Sequence, residues 1–192
     1  MAPIRRTRPR PIAHMTHRWL RGLTARPTPS DATAVHITHG IARDIPEIGA
    51  LYTSAEWSPP GGIRKRDNYL LARRHRKLAG VLMYWLEEPD APLHHAPAVV
   101  YANDHRLWVS EIVVATDAQR CGIGQALMAA AAHVAAAEGV PYIRTCPSRG
   151  GGVQEQHGRI AFFAACGMTE VQTMEGHLEM IGRTEDVVTA LA

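Results

Sequence analysis

Apolar positions along the chain fall into alternating, helical and continuous patterns, and each pattern predicts an element. Residues 34–38 (A-V-H-I-T) alternate, as a strand does. Residues 44–57 bring Ile45, Ile48, Leu51 and Tyr52 onto one helical face. The run Ser58-Pro59-Pro60-Gly61-Gly62 stops that helix. Residues 63–77 read as a second helix with its basic side chains outward. Residues 78–86 (L-A-G-V-L-M-Y-W-L) are almost wholly apolar, the pattern of a strand inside a sheet. Residues 87–97 hold three prolines and read as a loop. Residues 98–102 and 106–116 follow as strands, with Asp104-His105 as the turn between them.

The second half alternates helix and strand. A long Ala-rich helix spans residues 122–138 and ends at Gly139-Val140-Pro141. A strand at 142–146, a Gly-rich loop at 147–153 and a helix at 154–166 come next, with Gly167 as the C-cap. Two short strands, 170–173 and 176–181, precede a terminal helix at 184–191. A meander of strands followed by alternating helices and strands predicts an α/β domain with a mixed, mostly antiparallel sheet. Within it, strand 106–116, the long helix and strand 142–146 form a βαβ-like unit.

Charge divides the chain differently. Residues 1–30 hold seven arginines, five prolines and no acid, whereas residues 31–192 carry 14 basic and 18 acidic groups, a net −4. The high pI of 9.0 therefore belongs to the tail. Such composition predicts a disordered segment at 1–32 ahead of a folded domain at 33–192. No apolar run follows Arg5-Arg6, so no secretion signal is read, and no run reaches the length of a membrane span. A second basic group lies at Arg64, Lys65, Arg66, Arg73, Arg74, Arg76 and Lys77. Three cysteines (Cys121, Cys146, Cys166) without a CxxC spacing fit reduced thiols in a cytoplasm. No histidine or cysteine spacing suits a metal.

The chemistry concentrates at Gln119-Arg120-Cys121-Gly122-Ile123-Gly124-Gln125, where a strand turns into the long helix. Glycines let a ligand approach the backbone. The first N–H groups of the helix lack internal partners and sit at the positive end of its dipole, which suits a pyrophosphate. Arg120 adds a charge. A short GxG is also compatible with a tight turn that binds nothing.

Two motifs together carry more. Gln119-x-x-Gly122-x-Gly124 matches [QR]-x-x-G-x-[GA], and Ile160-Ala161-Phe162-Phe163-Ala164-Ala165-Cys166-Gly167-Met168 echoes A-x-x-F-Y-x-x-x-G-F. In both motifs and in element order the chain resembles the GNAT superfamily of acetyl-CoA-dependent N-acyltransferases, over most of residues 33–182.

The resemblance implies a GNAT-like fold and an N-acetyltransferase. It would move an acetyl group from acetyl-CoA to a primary amine, of a small molecule or a protein, by direct attack. By similarity, Ile112, Val113 and Val114 lie along the pantetheine, with a backbone N–H near Val113 as oxyanion donor. The N–H groups of Cys121, Gly122, Ile123, Gly124 and Gln125 would hold the pyrophosphate, beside Gln119 and Arg120. Phe162 or Phe163 would stand near the sulfur. Glu111 is the first candidate base, on the face of its strand opposite Ile112 and shared with Val109 and Val113; an exposed or paired strand carboxylate is the alternative. His157 is the second candidate, against a plain surface histidine. Dimers are common in the superfamily, so a homodimer is among the expectations.

One departure concerns the leaving thiolate. The family often places a tyrosine as its acid where this chain has Phe163. Water, Tyr142, Ser110 or Cys146 would then give the proton, or the chain is a CoA-binding regulatory module with little turnover. A third reading uses the Arg-rich tail and the second basic group to reach a nucleic-acid-linked amine. Trp57, Tyr84 and Trp85 are candidates to wall the acceptor pocket. Cys121 in the cradle is a candidate nucleophile, set against a purely backbone role.

Overall fold

The computed structural model describes residues 34–57, 68–87, 105–147, 153–172 and 178–192. In chain order these form β1 (His36–His39), α1 (Ile45–Ser54), β2 (Asn68–Arg74), β3 (Lys77–Glu87), β4 (Arg106–Val114), α2 (Ile123–Ala137), β5 (Tyr142–Thr145), α3 (Val153–Ala165), β6 (Thr169–Gln172), β7 (Leu178–Arg183) and α4 (Thr184–Ala190). The seven strands lie in one sheet, ordered β1-β2-β3-β4-β5-β7-β6. Only β4 and β5 run parallel; every other neighbouring pair is antiparallel. The tail at 1–32 and the strand expected at 98–102 lie outside the described residues.

Each face of the sheet buries its own set of side chains. On one face Leu127, Met128, Ala131 and Ala135 of α2 cover Leu70, Leu82, Leu107 and Val109. The alanines keep α2 close to the strands. Gly80 does the same for the start of α2, since a Cβ there would stand 2.8 Å from Ile123 Cγ2. On the opposite face Ile48, Leu51 and Tyr52 of α1 cover Leu71, Val81, Met83 and Val113. Each buried leucine or isoleucine side chain is worth about 1.5–3 kcal/mol.

The helix expected at 63–77 is corrected. Residues 68–74 are β2, a strand paired with both β1 and β3. Tyr69, Leu70, Leu71 and Ala72 are all buried, two on each face, which no single helical stripe could achieve. His75 and Arg76 take left-handed φ values of 51° and 66° and turn the chain into β3. Arg73 folds back on α1, pairing with Glu47 at 2.6 Å and Asp44 at 3.3 Å.

Candidate active site

The site is built where β4 parts from β5. Their parallel register runs from Arg106↔Tyr142 to Val109↔Thr145 and stops. The Thr145 hydroxyl closes the apex by donating to the Val109 carbonyl at 2.9 Å. Beyond it, Ser110–Val114 keep β3 on one edge, and the other edge opens into a wedge among the described residues. Ala115 N–H donates to the Ala79 carbonyl. Antiparallel ladders alternate, so Val113 and Glu111 also bond β3. The N–H groups turned into the wedge are those of Ile112 and Val114, which flank the position expected from the sequence.

A bulge sits at the apex. Tyr84 pairs with Val109 and Met83 with Glu111, so Ser110 is an extra residue in β4. It corrects the expected face of Glu111. Val109 belongs to the α2 core and Val113 to the α1 core, and Glu111 sides with Val113. Glu111 is 8% exposed. Its Oε2 accepts a 2.7 Å hydrogen bond from the half-buried Trp57 indole.

The anion cradle follows β4. Thr116–Ala118 form one 3-10 turn, and the Gln119 side chain reaches back to the Val114 carbonyl at 3.4 Å. Arg120 and Gly122 adopt left-handed φ values of 60° and 77°. The first bond of α2 runs from Ala126 N–H to the Gly122 carbonyl. The N–H groups of Ile123, Gly124 and Gln125 therefore have no partner within the helix. No side chain caps this end and its first turn carries no acid. Gln119, Arg120, Cys121, Gly122 and Gln125 are exposed. The residues present thus fit a pyrophosphate. The Arg74 guanidinium joins them, 3.7 Å from Cys121 Sγ.

The other candidates separate. Phe162 stands against the start of α2, its ring 3.1 Å from where a Gly124 Cβ would be. Phe163 is buried in the α2 core, edge-on to Phe162 with centroids 5.0 Å apart. His157 is exposed on α3. Tyr84 points into the α2 core rather than toward Glu111, and burial pushes its hydroxyl up to about 12. Ser110 is at the apex, Cys146 follows β5 with its thiol 3.3 Å from the Leu178 carbonyl, and Tyr142 lies at the far end of β5.

A charged frame escaped the sequence reading. Trp108 faces the α1 side, stacked on Trp85 with centroids 6.0 Å apart. The Arg144 guanidinium covers Trp108 at 4.6 Å. Arg144 is held by Glu87 at 3.2 Å and Glu179 at 2.7 Å, and Glu87 lies 3.8 Å from the fully buried Arg106. Burial raises the Glu87 carboxyl above its usual range, although Arg144 and Arg106 pull it down. The available signal was two arginines inside apolar strands. Among the described residues no His, Cys, Asp and Glu cluster is arranged to hold a metal, and no helix is long and apolar enough to cross a membrane.

A sheet splayed after a bulge, with an uncapped helix start below it, defines the acyl-CoA N-acyltransferase class of fold. A profile of the acetyltransferase (GNAT) family matches residues 41–168. The chain belongs to that family and is an acyltransferase. Solved structures agree on the fold. The ribosomal-protein-S18-alanine N-acetyltransferase of Escherichia coli superposes with a TM-score of 0.56 at 16% identity, covering 79% of this chain and 94% of that one. PaiA N-acetyltransferase of Thermoplasma acidophilum, solved in complex with coenzyme A, gives 0.57 at 11% identity, covering 78% and 99%. Compared with curated proteins, the chain finds no sequence match.

Proposed function

We propose that the protein is an N-acetyltransferase that passes the acetyl group of acetyl-CoA directly to a primary amine. Bound in the wedge, acetyl-CoA supplies an activated thioester carbonyl. The N–H groups from Cys121 to Gln125, with Arg120, hold the pyrophosphate. The N–H of Ile112 or Val114 donates a hydrogen bond to the developing oxyanion; one such donor is worth about 2.7–4 kcal/mol.

Glu111 removes the proton that keeps the amine from attacking, because an alkylammonium loses its proton only near pH 10.4. Trp57 fixes that carboxylate. Phe163 has no hydroxyl, so the departing thiolate takes its proton from Ser110, Cys146 or water. The observation that carries this reading is the placement of Glu111 beside the opened edge of β4, on the face that the bulge turns away from the α2 core.

Thermal unfolding of the full chain with and without acetyl-CoA tests it. Ligand at 100 times its Kd should stabilise the protein by about 2.7 kcal/mol. For this size that is on the order of 5–10 °C in Tm. CoA release with a simple amine then separates a transferase from a CoA-binding regulatory module. A folded protein with no shift sinks the reading.

A further inference from the structure

The frame beside Glu111 has one surface left open. Trp85 is 40% exposed, one of two exposed large apolar side chains among the described residues, the other being Ile41. It is also held firmly. Its indole stacks on Trp108 at 26° between planes, and its N–H bonds Glu87. Trp108 is fixed from its other neighbour by Arg144, itself gripped by Glu87 and Glu179.

Trp85 shares the α1 side of the sheet with Glu111. On β3, Met83 pairs with Glu111 and Trp85 pairs with Trp108. Two residues along a strand put Trp85 about 7 Å beyond the position across from Glu111. The frame around it contains two arginines and two glutamates whose charges balance, so it offers no net charge to a ligand. What it offers is a flat indole ending a stack of guanidinium, Trp108 and Trp85.

Building on the transferase reading above, we propose that Trp85 is the specificity platform for the acceptor, and that the acceptor is an arylalkylamine. Its amine lies at Glu111 and its ring continues the stack on Trp85. The spacing between the two positions suits a short alkyl link between ring and amine. Offset stacking of a third ring adds favourable energy beyond the area it buries.

The experiment compares tryptamine with n-butylamine as acceptors at saturating acetyl-CoA, following CoA release by the full chain and by its Trp85→Ala and Trp85→Phe variants. The native enzyme should favour tryptamine over n-butylamine by about tenfold or more in kcat/KM. Trp85→Ala should raise KM for tryptamine about tenfold, at least fivefold more than for n-butylamine. Trp85→Phe should recover most of the preference. Equal losses for both amines, or an unchanged preference in Trp85→Ala, would overturn the proposal. If neither amine releases CoA, calorimetry of tryptamine against the CoA-saturated protein decides. Binding lost in Trp85→Ala supports the platform; no binding to the native protein, or equal binding to both, refutes it. Failure of acetyl-CoA to shift the native Tm is the separate signature of a wrong transferase reading.

Discussion

The indole N–H of Trp57 donates a 2.7 Å hydrogen bond to Oε2 of Glu111, across 54 residues of chain. It ties the segment after α1 to the strand that borders the wedge. A carboxylate so restrained keeps its geometry before any substrate arrives. Glu111→Gln should lower kcat by roughly 10²–10⁴-fold with little change in acetyl-CoA affinity. Trp57→Phe keeps the ring and loses the bond, and should lower kcat by about tenfold with KM for acetyl-CoA unchanged. Steady-state kinetics read both, and an unchanged kcat in Glu111→Gln would remove that residue from the mechanism.

Gly124 sits in the first turn of α2 with Phe162 close by. A Cβ there would lie 3.1–3.2 Å from the ring, a contact relieved by a few tenths of an ångström of ring movement. Gly124→Ala should therefore fold and weaken acetyl-CoA binding modestly. Gly124→Glu adds a negative charge to the cradle and should abolish binding while the circular dichroism spectrum stays native. Retained binding would move the pyrophosphate elsewhere.

Gly80 couples the sheet to the cradle. A methyl group there would meet Ile123 Cγ2 at 2.8 Å, Leu127 Cδ1 at 3.2 Å and the Val113 carbonyl at 3.3 Å. Gly80→Ala should push the start of α2 off β3, at a cost of about 1–3 kcal/mol. It should also raise the Kd for acetyl-CoA, although residue 80 is outside the cradle. Denaturant midpoints and calorimetry report the two effects separately. Lost stability with unaltered affinity would show that the cradle does not depend on this contact.

Acid sensitivity should register at Glu47. The Arg73 guanidinium hydrogen-bonded to it holds its carboxyl below the usual range. A depressed folded-state value means that the ion pair stabilises the fold above the ordinary glutamate range. That contribution fades as pH falls through the depressed value. The pair is partly exposed, so its worth is a few tenths of a kcal/mol rather than several. Glu47→Gln should be slightly less stable than the native chain at pH 7, and the gap should close below about pH 4. A gap that persists in acid would assign the loss to packing.

What could be read from the sequence was local. The β4–α2–β5 unit declared itself through apolar runs, an alanine-rich helix and two glycines in one turn. The cradle was legible for the same reason. β2 was not, because Leu70, Leu71, Ala72 and Arg73 favour helices in isolation, and the pairing of β2 with β1 and β3 is what overrides them. The frame of Arg106, Arg144, Glu87 and Glu179 draws on four strands, so no window of sequence contains it. The face of Glu111 was misjudged in part because V-S-E-I-V-V alternates plausibly in either phase.

That phase is set by one residue. Up to Val109 the odd-numbered side chains of β4 face the α2 core, and after Ser110 the even-numbered ones do, while Val113 joins the α1 core. β4 therefore carries two reading frames, one for stability and one for chemistry, joined at Ser110. A point substitution can remove a group from the second frame but cannot shift it. Deleting Ser110 would leave Glu111 opposite Met83 and erase the bulge, so that β4 would run on beside β3 as an unbroken ladder. The strand can tolerate drift in its letters far better than a change in its count.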